Sequence, residues 1–160
     1  VPSVAMFTLY GQMPQLSAMS ADLASWLQYA TFIIVAFSAL RLAKFNVDTT
    51  QSTEFCGLPT PANGLFCLSL AMLAVSGNVA LSKEVVLIIS VAMAYLLISP
   101  IRMFALKFKG FGWHGNEIRY LFIALCAVLV VLLRFYSVPA IILLYIVIST
   151  IRWAINSNKK

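Results

Sequence analysis

The stretch "ALRLAKFN", Ala39–Asn46, sets Arg41, Lys44 and Asn46 within two helical turns, and "GLPTPANG", Gly57–Gly64, follows a short polar segment later. A guanidinium, an ammonium and a carboxamide at a helix end make a donor-rich set. Gly57 permits close backbone approach, while Pro59 and Pro61 stiffen the chain and bias Leu58 and Thr60 away from helix. Further on, Ser99 and Arg102 flank Pro100 in "LLISPIRMF". A kink there would aim Arg102 into a cavity; the alternative is a helix end with an anchoring cation. Thr31 and Ser38 share a helical face with Arg41 at about 100° per residue. Either that face looks inward, or the two hydroxyls bond their own backbone and Arg41 snorkels to an interface.

The elements that must carry these residues are hydrophobic helices. Of the 160 residues 62% are hydrophobic and 10% charged, and the mean hydropathy is +0.95. Such a chain has too little polar surface to coat a soluble globule. The apolar blocks run over Leu23–Leu40, Ala62–Val75, Val85–Ile101, Ile118–Leu133 and Pro139–Ile155, several approaching the roughly 20 residues a membrane helix needs. They predict an all-α, polytopic transmembrane bundle of five full spans, forming one membrane-embedded domain over residues 1–160. Val1–Tyr10 reads as the end of a further, truncated helix, because the turn-rich "GQMPQLSAMSAD" follows at once. With no charged segment and cleavage site before the first apolar run, no cleavable signal peptide is expected, and the chain is expected to begin mid-protein.

Alternating crossings divide the cations unequally. Arg41, Lys44, Arg102, Lys107, Lys109, Arg119, Arg152, Lys159 and Lys160 fall on one side, and Lys83 and Arg134 on the other. The positive-inside rule makes the rich side cytoplasmic. The net charge of +6 then serves as an anchor for anionic lipid, and the dispersal of the cations over helix ends argues against nucleic acid as a partner.

Other signals carry less chemistry. "GFGWHG", Gly110–Gly115, matches G-x-G-x-x-G by letter, but it follows a membrane helix and has no βαβ unit around it, so no dinucleotide site is expected. Phe111 and Trp113 suit a headgroup layer, Asn116 and Glu117 suit a helix start, and His114 reads as an interfacial contact. Cys56, Cys67 and Cys126 lack metal-site or disulfide spacing; Cys56 reads as an unmodified loop thiol, with acylation the alternative. The acids Asp22, Asp48, Glu54, Glu84 and Glu117 are dispersed, with no i, i+4 pair among them.

The pairing of "ALRLAKFN" with "GLPTPANG" resembles the signature of phosphatidylserine synthases in the CDP-alcohol phosphatidyltransferase family. "LLISPIRMFALKFKGF" is similar to the helix that follows in those enzymes, and "VPSVAMF" to the stretch just after their catalytic motif. The likeness covers about Val1 to Phe111; the last two helices match in hydrophobic pattern alone. It implies transfer of a phosphatidyl group from CDP-diacylglycerol to L-serine at the cytoplasmic rim of a helical bundle, releasing CMP. By the same resemblance Arg41 and Lys44 meet phosphate or the serine carboxylate, with Arg102 opposite. Asn46 touches substrate, Gly57, Pro59 and Pro61 shape the pocket wall, Mg²⁺ or Mn²⁺ is the cofactor, and a homodimer is allowed.

The family motif D-G-x2-A-R-x8-G-x3-D-x3-D, whose carboxylates hold the metal, does not occur in this sequence. No catalytic residue and no metal ligand is therefore assigned in the chain, which is expected to be inactive alone and to need an upstream segment bearing those aspartates. Alternatives are an acceptor other than serine (glycerol phosphate, choline or inositol), a small transporter, or a non-catalytic membrane scaffold. Against the transporter stand the lack of a mid-membrane acid or base and of an inverted repeat.

Overall fold

The computed structural model describes residues 1–15, 20–47, 54–104 and 117–157. Most of them are helical: α1 (Pro2–Gln12), α2 (Ala21–Gln28) running through a 3₁₀ turn (Tyr29–Phe32) into α3 (Ile33–Val47), α4 (Thr60–Val75), α5 (Lys83–Ile98), α6 (Glu117–Leu133) and α7 (Ser137–Ser157). Two short strands, β1 (Glu54–Cys56) and β2 (Arg102–Phe104), pair antiparallel, with Cys56 opposite Arg102 and Phe55 opposite Met103.

Helix ends follow local chemistry. Ser20 caps α2 by accepting from the Leu23 N–H, and Ser82 caps α5 by accepting from that of Val85, with Asp22 and Glu84 in the respective first turns. Each arrangement satisfies an otherwise orphaned amide and places negative charge at the positive end of the helix dipole. α5 stops at Ile98 because Ser99, preceding Pro100, is extended (φ −58°, ψ 148°). Pro100 thus terminates this helix instead of kinking it, and the expected boundary at Ile101 moves back. α4 begins earlier than expected, with Pro59 as its cap residue and Thr60 and Pro61 in its first turn. A first-turn proline is tolerated because its missing N–H has no intrahelical partner to lose. Thr60 is accordingly helical, against the bias expected from its neighbour.

The helices alternate in direction. Lys83 at the start of α5 donates its backbone N–H to Pro14 O just beyond α1, and Tyr136 in the α6–α7 turn donates to Asn78 O beyond α4. One end of the bundle therefore gathers the end of α1, the starts of α2 and α5, and the α6–α7 turn. At the opposite end, the close of α3, the starts of α4 and α6, and the closes of α5 and α7 come together around the β1–β2 ribbon. α1 is a central element and not a peripheral stub: it packs on α4 and α5, with Met6, Leu9 and Tyr10 at most 1% exposed.

Two helical stretches, Ala21–Val47 and Glu117–Asn156, are long and apolar enough to cross a membrane, and Thr60–Val75 is a shorter apolar helix. This falls short of five full spans because α4 and α5 have 16 residues each, about 24 Å at 1.5 Å per residue, against a hydrocarbon core of about 30 Å. The second stretch covers 40 residues but is not one rod. Arg134 has φ 44°, α6 packs along α7, and the rings of Phe122 and Tyr145 meet edge-on with centroids 6.0 Å apart. In a continuous helix those residues would be roughly 35 Å apart. The stretch is a helical hairpin. Only 17% and 11% of the most apolar parts of the two stretches are buried, so most of that hydrocarbon faces outward.

Candidate functional site

Arg41 lies in the last two turns of α3, on the face that turns toward α4 and α7. It is half-buried, and its Nη1 donates to Thr60 Oγ1 at 3.2 Å. Its Nε is buried and has no hydrogen-bond partner among the described residues. Tyr145 of α7 and Cys56 of β1 lie within electrostatic reach of the guanidinium. Arg41 therefore points into the protein. Thr31 is fully buried, as the inward-face alternative expects, while its hydroxyl donates to its own helix at Gln28 O (2.8 Å).

Thr60 is held against Arg41 by a backbone lock between α4 and α5. Gly57 N–H donates to Ile101 O (3.0 Å) and Leu58 N–H to Leu96 O (2.8 Å). Ser99 Oγ donates to the same Leu96 carbonyl (3.1 Å). Gly57 has φ 73°, and a Cβ there would sit 2.3 Å from Leu97 O. Both the left-handed backbone and the close approach require glycine. Leu58 beside it is fully buried. The lock closes the carbonyl end of α5 and leaves the amide end of α4 directed at the Arg41 side of the bundle, where the helix dipole favours negative charge.

Three residues beyond Thr60, on the same helical face, Asn63 is fully buried. Its Oδ1 accepts from Cys67 Sγ at 3.4 Å, and its Nδ2 has no partner among the described residues. A buried unpaired donor costs about 1–3 kcal/mol. Two such donors, Arg41 Nε and Asn63 Nδ2, thus lie near the start of α4, and an oxygen-rich or anionic ligand would satisfy them. Tyr145 and Ser149, one turn apart on α7 and buried, face the bundle from the other side.

The sequence-predicted residues separate into two groups. Arg41, Gly57 and Pro59 belong to this packed end of the bundle. Pro61, Lys44 and Asn46 are exposed at the same end, the first in the opening turn of α4 and the others in the final turn of α3. Arg102 is also exposed, on β2 directly opposite Cys56, and not carried into a cavity by a kinked helix. Thr60, Asn63 and Tyr145 were not singled out from sequence. Thr60 and Asn63 lie inside "GLPTPANG", where a polar residue repeating at helical spacing was available as a signal; Tyr145 sits in an apolar run that offered none. Lys107, Lys109, the "GFGWHG" segment with His114, Asn116, Asp48, Lys159 and Lys160 lie outside the described residues.

Among the described residues no group of three His, Cys, Asp or Glu side chains comes together to hold a metal ion. The residues of this end supply donors, whereas Mg²⁺ and Mn²⁺ take several oxygen ligands; they do not fit such an ion. No family model, curated protein or solved structure matches the chain.

Proposed function

We propose that the bundle is a multi-pass membrane protein whose Arg41 end faces the cytoplasm, and that this end binds CDP-diacylglycerol and L-serine as the substrate-binding part of a phosphatidylserine synthase. In this reading α2–α3, α4, α5, α6 and α7 make the five crossings. The outward-facing hydrocarbon supports a lipid environment, since so much exposed apolar surface in water would drive association. Arg41, Lys44, Arg102, Arg119 and Arg152 lie toward one end, and Lys83 and Arg134 toward the other, which supports the cytoplasmic orientation.

The observation that carries the substrate reading is the inward Arg41, bonded to neutral Thr60 with its Nε unsatisfied beside the start of α4. A half-buried guanidinium in that position favours an anion, and a diphosphate or a carboxylate supplies the oxygens it lacks. In the reaction the serine hydroxyl gives up its proton as its oxygen bonds to the phosphorus bearing diacylglycerol, and the P–O bond to CMP breaks, CMP leaving with the bond's electron pair. Arg41 and Asn63 would position the substrates by donating to their oxygens. Among the described residues no carboxylate cluster comes together for the metal part of the chemistry, so no step is derived through it.

The test is equilibrium binding of CDP-diacylglycerol to the chain in micelles, followed by CMP release with serine once helices bearing the family's aspartate motif are joined upstream. Arg41→Ala should weaken binding at least tenfold and Lys160→Ala by less than twofold. The chain alone should release no CMP. Equal effects of the two substitutions would refute the site, and an extended chain inactive with serine, glycerol phosphate, choline and inositol would refute the enzyme class.

A further inference from the structure

A second site lies at the opposite end of the bundle. A pocket of about 420 Å³ is bounded by Ser69, Leu73, Ser76 and Asn78 from α4 and its exit, and by Arg134 and Phe135 from the α6–α7 turn. Its lining mixes those polar side chains with apolar Met72, Leu73, Phe135 and Val138. Arg134 is the non-glycine residue with positive φ among those described, a conformation that costs an L-residue energy and persists only where neighbours impose it. Here they do: Ser137 Oγ donates to Arg134 O, Tyr136 Oη donates to Asn78 O, and Asn78 Nδ2 donates to Ser76 Oγ. The turn thus fixes the root of one cation beside the bonded pair Asn78 and Ser76. The apolar side of the pocket is open: Met72, Phe135 and Val138, which also line it, are 66%, 80% and 40% exposed.

We propose that this pocket binds the phosphate-bearing headgroup of an anionic phospholipid from the leaflet opposite the Arg41 end. The phosphate lies at Arg134 and Asn78, the glycerol fills the pocket, and the acyl chains run down the exposed apolar wall. The volume suits a headgroup and not a two-chain lipid, so the chains must leave along that wall. A single guanidinium at a bilayer interface, over a hydrocarbon face, complements a lipid phosphate more than a soluble anion, which would gain nothing from the apolar side. The proposal rests on the membrane placement above and not on the phosphatidyltransferase chemistry.

The experiment is native mass spectrometry of the full chain released from micelles containing phosphatidylglycerol or phosphatidylcholine of identical acyl chains. One phosphatidylglycerol should be retained with at least tenfold preference. Arg134→Gln should abolish that preference. Arg134→Gly should abolish it too while leaving the thermal midpoint in lipid-free detergent equal or higher, because glycine relieves the left-handed backbone; that separates lost binding from lost folding. Arg41→Gln should leave the preference intact. Equal retention of both lipids, or a preference that survives at position 134 and disappears at position 41, would overturn the proposal while leaving the membrane reading standing. A chain that stays dispersed without detergent and retains neither lipid would overturn both.

Discussion

Gly57→Ala is expected to be the most damaging single-methyl substitution at the described glycines. The added Cβ would sit 2.3 Å from Leu97 O on a backbone with φ 73°. The left-handed conformation alone costs an L-residue about 1–2 kcal/mol. The obstacle is a helix carbonyl and not the tip of a flexible side chain, so relief requires moving the segment off α5. That movement sacrifices the Gly57–Ile101 and Leu58–Leu96 hydrogen bonds, each worth about 1 kcal/mol net. The total is about 3–4 kcal/mol. Two other glycines serve as internal controls. Gly77 also has positive φ, 76°, but nothing lies within 4 Å of a Cβ there, so alanine costs only the conformational part, about 1–2 kcal/mol. Gly64 is in the interior of α4 with nothing within 4 Å, so alanine should gain up to about 1 kcal/mol through helix propensity. Thermal unfolding in one detergent should rank Gly64→Ala highest, then the unmodified chain, Gly77→Ala and Gly57→Ala. Gly57→Ala unfolding at or above Gly77→Ala would refute the lock between α4 and α5.

Cysteines placed at positions 122 and 145, in a background lacking the natural thiols, should cross-link within one chain with a short bifunctional reagent, as the 6.0 Å ring separation requires; failure would mean that α6 and α7 form a straight rod. Membrane-impermeant thiol labelling should mark Asn46→Cys and Lys83→Cys from opposite sides of the bilayer, and labelling of both from one side would overturn the alternating arrangement. Asn63→Leu removes a buried carboxamide with an unsatisfied donor, so stability should stay level or rise, by up to about 1–3 kcal/mol, while CDP-diacylglycerol binding falls if the proposed site is right; unchanged binding would make Asn63 a packing residue only.

The helices were legible because apolar runs of this length have few other ways to satisfy their backbone; their boundaries moved where proline chemistry intervened, and α3 runs on to Val47, past the expected apolar end at Leu40. Pro61 belongs inside the first turn of α4, and Pro100 ends α5 two residues after its last helical residue. The role of Val1–Tyr10 was not legible. A short apolar run followed by turn residues carries no statement of whether it packs at the centre or the edge, and only its contacts with α4 and α5 decide that. The β1–β2 ribbon was equally hidden. Its strands have three residues each, too few for alternation to register, and they pair segments far apart in the chain. The break between Ile118–Leu133 and Pro139–Ile155 was legible as two apolar blocks, but the positive φ of Arg134 in the reversal between them was not, because it is set by the turn and not by hydropathy.

For the candidate site, residue type was legible and direction was not. Arg41, Lys44 and Asn46 are close in sequence and chemically alike as donors, yet of the three only Arg41 is half-buried and reaches Thr60, because α3 packs one face on α5 and leaves its last residues exposed. What selects Arg41 is the position of Thr60, and what positions Thr60 is the lock two to three residues earlier, where Gly57 and Leu58 bond to the end of α5. "ALRLAKFN" and "GLPTPANG" are therefore two parts of one mechanical unit, joined by the Arg41–Thr60 bond and braced by a glycine that tolerates no side chain. A substitution at Gly57 should then act on Arg41 without touching it: releasing the start of α4 withdraws the hydroxyl that orients the guanidinium, so weakened anion binding and lost heat stability should travel together in Gly57→Ala but separate in Arg41→Ala.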